Sequence, residues 1–465
     1  MPADEFDVVV LGAGPPGENA AGRVVANGLT AAIVETELVG GECSFWACMP
    51  SKTLLRPGDV IAAARRVPGA AEAVTGSIDV RAALAQRDYM TSSWDDSGQL
   101  PWLEEHHIEL VRGHGRLTGE RSLTVDLRDG GTRSLTARKA VVVATGSDAA
   151  MPLIPGLSDA RPWTNREATG VKEIPRRLAI LGGGPVGVEM AQAFRRLGCH
   201  EVTLVQGADR LLPREEPFAG AEVQESFEGE GITVFTKVSM TDVRRSGSDG
   251  SVTATLSDGS TVEADELLVA AGRRPRTDGI GVEIFGLTPG KPLAVDDQLR
   301  VSGVGGDWLY AVGDVNGLAL LTHVGKYQAR IAGDVIAGKD ARDRVSHDLV
   351  PRVTFTDPPV CAVGLTEEQA RERYDEIRTV RHGTGDVAGA HTTGNDIRGT
   401  SFVVIDEKRR VLVGATFTGP DVAELLHSAT IAISGQVTLD QLWHAVPSFP
   451  TISEVWLRLM ESYGL

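Results

Sequence analysis

Val8-Val9-Val10-Leu11-Gly12-Ala13-Gly14-Pro15-Pro16-Gly17 runs from four apolar residues straight into three glycines spaced Gly-x-Gly-x-x-Gly. A continuous apolar run suits a strand buried on both faces, as in a parallel sheet. The residues that follow, through Val25, read as a helix. Strand, tight turn and helix in that order make a cradle for a pyrophosphate. Gly12 permits the turn, Gly14 lets backbone approach the phosphates, Gly17 lets the helix close on the strand, and the helix N-terminus attracts negative charge. The next strand, Thr30 to Val34, ends at Glu35, where a carboxylate can accept the ribose hydroxyls of an adenosine.

The pattern recurs about 170 positions on. Leu178-Ala179-Ile180-Leu181 enters Gly182-Gly183-Gly184-Pro185-Val186-Gly187, then a helix through Phe194 and a strand Val202-Thr203-Leu204-Val205. One such motif is weak evidence, but two in the same context predict an α/β chain that holds two dinucleotides. The second unit ends at Gln206, where an acid would favour NADH by binding the 2′-hydroxyl and repelling a 2′-phosphate. Gln206 does neither strongly. Arg210 nearby can meet a phosphate or pair with a surface acid, so the pattern tilts only mildly towards NADPH over NADH.

Shortly after the first unit comes Gly40-Gly41-Glu42-Cys43-Ser44-Phe45-Trp46-Ala47-Cys48-Met49-Pro50-Ser51-Lys52, with two thiols at a loop-to-helix junction. In an unbroken helix their Cα atoms would stand about 8.7 Å apart, beyond disulfide reach. A bridge therefore requires a distorted first turn, which Gly41 and Pro50 suit. A strained, accessible disulfide is the labile, catalytic kind. Metal binding is the rival reading of close cysteines, but zinc needs further ligands. Neither Cys199-His200 nor Cys361 offers that spacing, so no metal is expected.

The chain has 465 residues, four cysteines and a net charge of −17. That length predicts two to four domains. An acidic surface repels nucleic acid and anionic lipid, so the expected partners are small molecules or a basic protein carrier. No apolar run reaches membrane-spanning length, and the acidic start Met1-Pro2-Ala3-Asp4-Glu5 reads as no signal peptide, which implies a cytoplasmic protein.

Together these motifs resemble the pyridine nucleotide-disulfide oxidoreductases, the flavoprotein family of dihydrolipoamide dehydrogenase, glutathione reductase and mercuric reductase. Ala144-Thr145-Gly146, Ala271-Gly272-Arg273-Arg274-Pro275, Ala311-Val312-Gly313-Asp314 and Val353-Thr354-Phe355-Thr356-Asp357-Pro358-Pro359 extend the resemblance along the whole chain. It implies two Rossmann-like domains, for FAD and NAD(P), plus an α+β C-terminal dimerisation domain and a homodimer. The implied boundaries are 1–150 with 280–345 for FAD, 151–279 for NAD(P), and 346–465 for dimerisation. FAD would be held by Gly12, Gly14, Gly17, Glu35, Lys52, Gly115, Thr145, Gly146 and Asp314, with Leu321, Thr322 and His323 beside the ring. NAD(P) would be held by Gly182, Gly184, Gly187, Glu189, Gln206, Arg210 and Gly272. Cys48 would touch the flavin and Cys43 the substrate, and Lys52 would pair with Glu189 near the flavin N5. A helix N-terminus would favour the Cys48 thiolate.

The resemblance also implies a terminal His-Pro-Thr-x-x-Glu, in which the His moves the substrate proton and the Glu orients it. Here the segment is Phe449-Pro450-Thr451-Ile452-Ser453-Glu454. Phe449 cannot transfer a proton, a function worth roughly 10²–10⁴ in rate. Glu454 has no imidazole to orient; His444, five positions before Phe449, is the nearest replacement, but Pro447 lies between and a His with apolar neighbours is more often merely packed. Phe45 and Trp46 add bulk between the cysteines, as an apolar acceptor site would. The expected activity is electron transfer from NAD(P)H through FAD and the Cys43–Cys48 disulfide to a small disulfide or related acceptor. The alternatives are an NAD(P)H:quinone or dye reductase with direct flavin-to-acceptor transfer, and a redox-sensing flavoprotein without turnover. Elsewhere, 52–113 reads as helical, including a segment around Trp94 to Trp102. Ser246–Ser251 and Leu256–Ser260 read as hairpin turns, and Glu367–Arg373 as a charged helix.

Overall fold

The computed structural model describes residues 4–247 and 250–465. They form two compact units, Met1–Pro50 with Arg87–Ala149 and Arg273–His347, and Ser51–Gln86 with Ala150–Gly272 and Asp348–Leu465.

In the first unit, β1 (Asp4–Leu11) lies parallel to β2 (Ala31–Glu35), with Val8 opposite Ala31 and Leu11 opposite Val34. Its other edge pairs in parallel with Thr132–Val143, which in turn carries Leu309–Ala311. The strand Glu109–Gly119 closes the far side of β2 and returns through an antiparallel meander, Ser122–Leu127 and Thr132–Val143. Val8, Val9 and Val10 are fully buried, because a parallel sheet is covered on both faces. α1 (Pro15–Ala26) starts with Gly14 as N-cap and Pro15 as first helical residue, where the absent N–H of proline costs no hydrogen bond. It lies against the helix Thr322–Ile336, and Arg23 grips Asp334 with two hydrogen bonds of 2.8 and 2.6 Å.

The second unit repeats the device. Glu266–Val269, Arg177–Leu181, Glu201–Gln206 and Ile232–Thr236 form a four-stranded parallel sheet. The helix Pro185–Arg196 again has a glycine N-cap and a proline start. The strands Met240–Arg245, Val252–Leu256 and Thr261–Ala264 make an antiparallel meander. The turn expected at Leu256–Ser260 joins two of these strands, while the one expected at Ser246–Ser251 includes Ser248 and Asp249, which lie outside the described residues, as do Met1–Ala3. Five antiparallel strands follow in the order 352–354, 360–364, 411–418, 400–406, 377–383. The helices Val422–Ser434 and Val455–Tyr463 cover them, with Leu425, Ala429 and Leu459 in the shared core. Glu367–Arg373 is a helix opened by a Thr366–Gln369 capping box.

Two details differ from the sequence reading. The stretch 51–86, placed with the FAD segment, groups with the second unit, because Leu54 and Leu55 enter a core with Leu178, Ile180 and Phe194. The segment from Trp94 to Trp102 is not one helix. Ser92, Ser93 and Trp94 adopt left-handed φ values of 47°, 51° and 61°, and the helix begins only at Leu100.

Candidate active site

The first glycine loop is shaped by contacts no side chain could share. Gly12 has φ 102°, and a Cβ there would lie 2.4 Å from the Ala144 carbonyl oxygen. A Cβ on Gly17 would lie 1.9 Å from the Gly12 carbonyl oxygen. Gly182 and Gly187 repeat both contacts, at 2.4 Å from Ala270 and 1.9 Å from Gly182. Glu35 at the end of β2 accepts from the Ala13 and Glu37 amides, each at 2.7 Å, and burial pushes its carboxyl pKa up. Ser147 donates to Asp314 Oδ2 at 2.5 Å, and burial again raises the acid. Thr145 donates to the Arg276 carbonyl at 2.6 Å, and Gly146 turns with φ 75°. Gly115 has a packing reason to be glycine, since its Cβ would meet Leu11 at 2.6 Å and Val34 at 3.0 Å.

The cysteine loop is seated on this glycine loop. The Gly40 amide donates to the Ala13 carbonyl at 2.8 Å, and a Cβ on Gly41, at φ 57°, would stand 2.7 Å from Gly14 Cα. α2 (Gly41–Phe45) carries Cys43, and α3 (Cys48–Arg65) begins at Cys48. The break between them falls at Trp46, with φ −137° and ψ 1°, so the cysteines are not on one regular helix. Cys48 Sγ lies 3.4 Å from Thr322 Oγ1 at the start of Thr322–Ile336, where Leu321 is the N-cap and His323 follows. Two residues that sequence reasoning passed over hold this loop. Trp94 Nε1 donates to the Phe45 carbonyl at 3.1 Å, and Asp96 accepts from the Val39 amide at 2.7 Å. Neither contact has a local sequence signal, because each joins segments about 50 positions apart.

In the second unit Lys52, one turn into α3, donates to Glu189 Oε2 at 2.7 Å. Glu189 is nearly buried on Pro185–Arg196, and its other oxygen accepts from the Phe355 amide at 3.0 Å. Lys52 Nζ also stands 4.9 Å over the Phe355 ring, a favourable cation–π distance. Gln206 holds the Gly183 amide at 3.1 Å, the same place in its loop that Glu35 holds at Ala13. Arg210 is turned to Asp209 and to the Pro213 carbonyl. The Gly272 carbonyl accepts from the Ala150 amide at 2.9 Å.

Phe449 is 76% exposed and Val446 84%, while Glu454 is buried. Glu454 does not stand idle as the missing imidazole suggested, because a buried carboxylate needs partners. It accepts from the Ala388 amide at 3.2 Å and from Arg458 at 2.6 Å. His444 is exposed, not packed among its apolar neighbours. Cys199 and Cys361 are buried, and no group of potential metal ligands occurs among the described residues. No described helix is long and apolar enough to cross a membrane.

Two glycine cradles, one joined to a cysteine loop, define an oxidoreductase architecture. Residues 6–331 match the family model described as pyridine nucleotide-disulphide oxidoreductase, and residues 350–460 match that family's dimerisation domain. The chain belongs to this family of FAD-dependent NAD(P)H oxidoreductases. It is similar to a dihydrolipoyl dehydrogenase of Mycobacterium tuberculosis, at 36% identity over 97% of this chain and 96% of the relative. It is also similar to a mercuric reductase of Staphylococcus aureus, at 29% identity over 97% of this chain and 81% of the relative. Among solved structures, LpdA from Mycobacterium tuberculosis superposes with a TM-score of 0.86 at 26% identity, covering 100% of both chains. The HOCl-induced flavoprotein disulfide reductase RclA from Escherichia coli, in a Cu(II) complex, has the same fold, with a TM-score of 0.86 at 24% identity over 98% of this chain and 99% of that one. FAD fits the residues present: Gly12 and Gly17 let strand, turn and helix close on one another where a Cβ would strike backbone, and Gly14 caps α1 without a side-chain hydrogen bond, which leaves that helix N-terminus to a phosphate.

Proposed function

We propose that the protein passes electrons from NAD(P)H through FAD to the Cys43–Cys48 pair and on to a small disulfide or related acceptor, working as a homodimer. The observation that carries this reading is the 3.4 Å approach of Cys48 Sγ to Thr322 Oγ1, which joins the cysteine loop to the segment around Asp314, Leu321 and His323. Bound FAD supplies a two-electron carrier between nicotinamide and thiols. Gly12, Gly14, Gly17 and Glu35 hold its adenosine diphosphate part in this reading, and Asp314 holds its ribitol hydroxyls, with Thr145 and Gly146 alongside. Cys48 would be the thiol beside the flavin and Cys43 the one that meets the acceptor. Two electrons and two protons delivered to the bridged pair break the S–S bond and leave two thiols, which the acceptor reoxidises. Lys52, held by Glu189, offsets the negative charge gained on reduction. Gly182, Gly184, Gly187, Gln206, Arg210 and Gly272 bind the NAD(P)H. The matched dimerisation domain and the exposed Val446 and Phe449 support the homodimer.

One observation favours a second reading, direct reduction of a quinone. Phe449 offers an exposed aromatic ring and no proton, and Glu454 is committed to Ala388 and Arg458. Anaerobic titration of the flavin-loaded enzyme with NADPH, and separately NADH, distinguishes the two. The relay predicts two newly alkylatable thiols per chain and a disulfide reductase activity that Cys48→Ala abolishes. No thiol release, with quinone reduction intact in Cys48→Ala, supports the second reading.

A further inference from the structure

We infer that Trp94 is a positioning residue for the Cys43–Cys48 pair, acting through the Phe45 carbonyl, and that the left-handed turn Ser92-Ser93-Trp94 exists to present it. The inference rests on the reading of that pair as an electron relay.

One segment braces the cysteine loop at two points. Asp96 Oδ2 accepts from the Val39 amide at 2.7 Å, just before Gly40, and Trp94 Nε1 donates to the Phe45 carbonyl at 3.1 Å. Phe45 is the last residue of α2, so its carbonyl is one of the helix-end acceptors that lack a partner along the helix. The chain leaves the helix at Trp46 and re-enters it at Cys48. The crossing of that break sets how Cys43 and Cys48 approach, and the indole N–H fixes its near end.

The turn that carries Trp94 is costly to hold. Three consecutive residues with side chains sit at φ 47°, 51° and 61°, a conformation that L-residues adopt singly and only where their surroundings impose it. Those surroundings are present. The fully buried Arg87 guanidinium lies 5.2 Å over the Trp94 ring and is oriented by Asp88 at 2.8 Å. The Trp94 amide donates to the Thr91 carbonyl at 2.8 Å, and Thr91 Oγ1 donates to the Arg87 carbonyl at 3.1 Å. Asp96 pairs with Arg112 at 2.6 Å. A turn serving only to connect two helices has no need of this bracing. Its product is one N–H bonded to the carbonyl of Phe45, a residue that lies between the two cysteines along the chain.

The test compares flavin-loaded wild-type enzyme with Trp94→Phe, which keeps a ring beneath Arg87 and deletes the donor. Each is equilibrated in glutathione buffers, where the dithiol and oxidised glutathione exchange for the protein disulfide and two reduced glutathiones. Alkylation and mass spectrometry read the balance. Loss of the brace lowers the effective concentration of one thiol at the other, so the constant for disulfide formation should fall at least threefold. That corresponds to a potential about 14 mV higher at 29.6 mV per tenfold. A change smaller than threefold overturns the inference, since a purely packing role for Trp94 leaves the couple untouched. A wild-type enzyme that forms no Cys43–Cys48 disulfide in any buffer fails at the relay itself, and the inference falls with it. If Trp94→Phe does not fold, hydrogen exchange on the wild type decides. Reduction must change protection in both 40–48 and 92–97, and a change confined to 40–48 overturns the inference.

Discussion

Arg458 donates to Glu454 Oε1 at 2.6 Å, one helical turn away, while the other oxygen of Glu454 accepts from the Ala388 amide. The carboxylate that the family motif reserves for an imidazole is thus already satisfied within its own chain. Replacing Phe449 by His should therefore not restore an acid–base pair. Phe449→His is expected to raise turnover of a small disulfide such as hydroxyethyl disulfide less than tenfold. Freeing the carboxylate as well, in Phe449→His with Arg458→Ala, should approach the roughly 10²–10⁴ typical of a positioned proton donor. Steady-state rates of the two variants measure this, and equal rates would show that Arg458 does not compete.

Asp59 on α3 belongs to a half-buried network in which Arg196 also holds Glu230 and Asp357. Burial pushes its pKa up to about 6, against the pull of Arg196 and with a further push from Asp357. An acid whose folded pKa is raised binds its proton more tightly in the native state, so stability falls as pH climbs from about 4 to about 6 and levels off above. Asp59→Asn should remove that fall. Urea unfolding at a series of pH values should show the variant gaining on wild type across this window. The gain should reach about 2 kcal/mol above pH 7, allowing for the part of the side chain that still meets water.

The readable parts of the site are those written in one contiguous stretch. Both glycine loops and the Gly41–Lys52 segment carry strand, turn and helix signals that local sterics enforce, so fold class followed from them directly. The meeting of Lys52 with Glu189 spans 137 positions and was visible only through the family resemblance. Trp94 and Asp96 were not visible at all. No glycine or asparagine marks the left-handed turn, and periodicity made the segment look helical. The capture of Glu454 by Arg458 was available in the sequence, because an acid and an arginine four apart on a helix are neighbours.

The two remaining cysteines should be silent. Burial pushes Cys199 up to about 11 and Cys361 further still, and the thiolate is the reactive species. At pH 8 a group with that pKa is only about 0.1% ionised. Iodoacetamide treatment of the reduced native enzyme should label Cys43 and Cys48 and leave Cys199 and Cys361 unmodified by peptide mass mapping. Labelling of Cys361 before global unfolding would mean that its strand opens.

Gln206 and Glu35 do the same structural work, each holding the middle amide of its glycine loop, at 3.1 Å and 2.7 Å. They differ in charge, and that difference bears on which nicotinamide nucleotide the second cradle accepts. An amide at 206 leaves a 2′-phosphate unopposed, whereas a carboxylate would repel it and accept a ribose hydroxyl. Gln206→Glu keeps the acceptor for the Gly183 amide, so the loop should hold its shape. The ratio of kcat/KM for NADH to that for NADPH should then rise by about tenfold to a hundredfold, equivalent to about 1.4–2.7 kcal/mol of discrimination. Flavin reduction followed by stopped flow with each nucleotide measures the ratio free of the downstream acceptor. An unchanged ratio would place the ribose away from Gln206 and leave Arg210, now turned to Asp209 and the Pro213 carbonyl, as the residue to replace next.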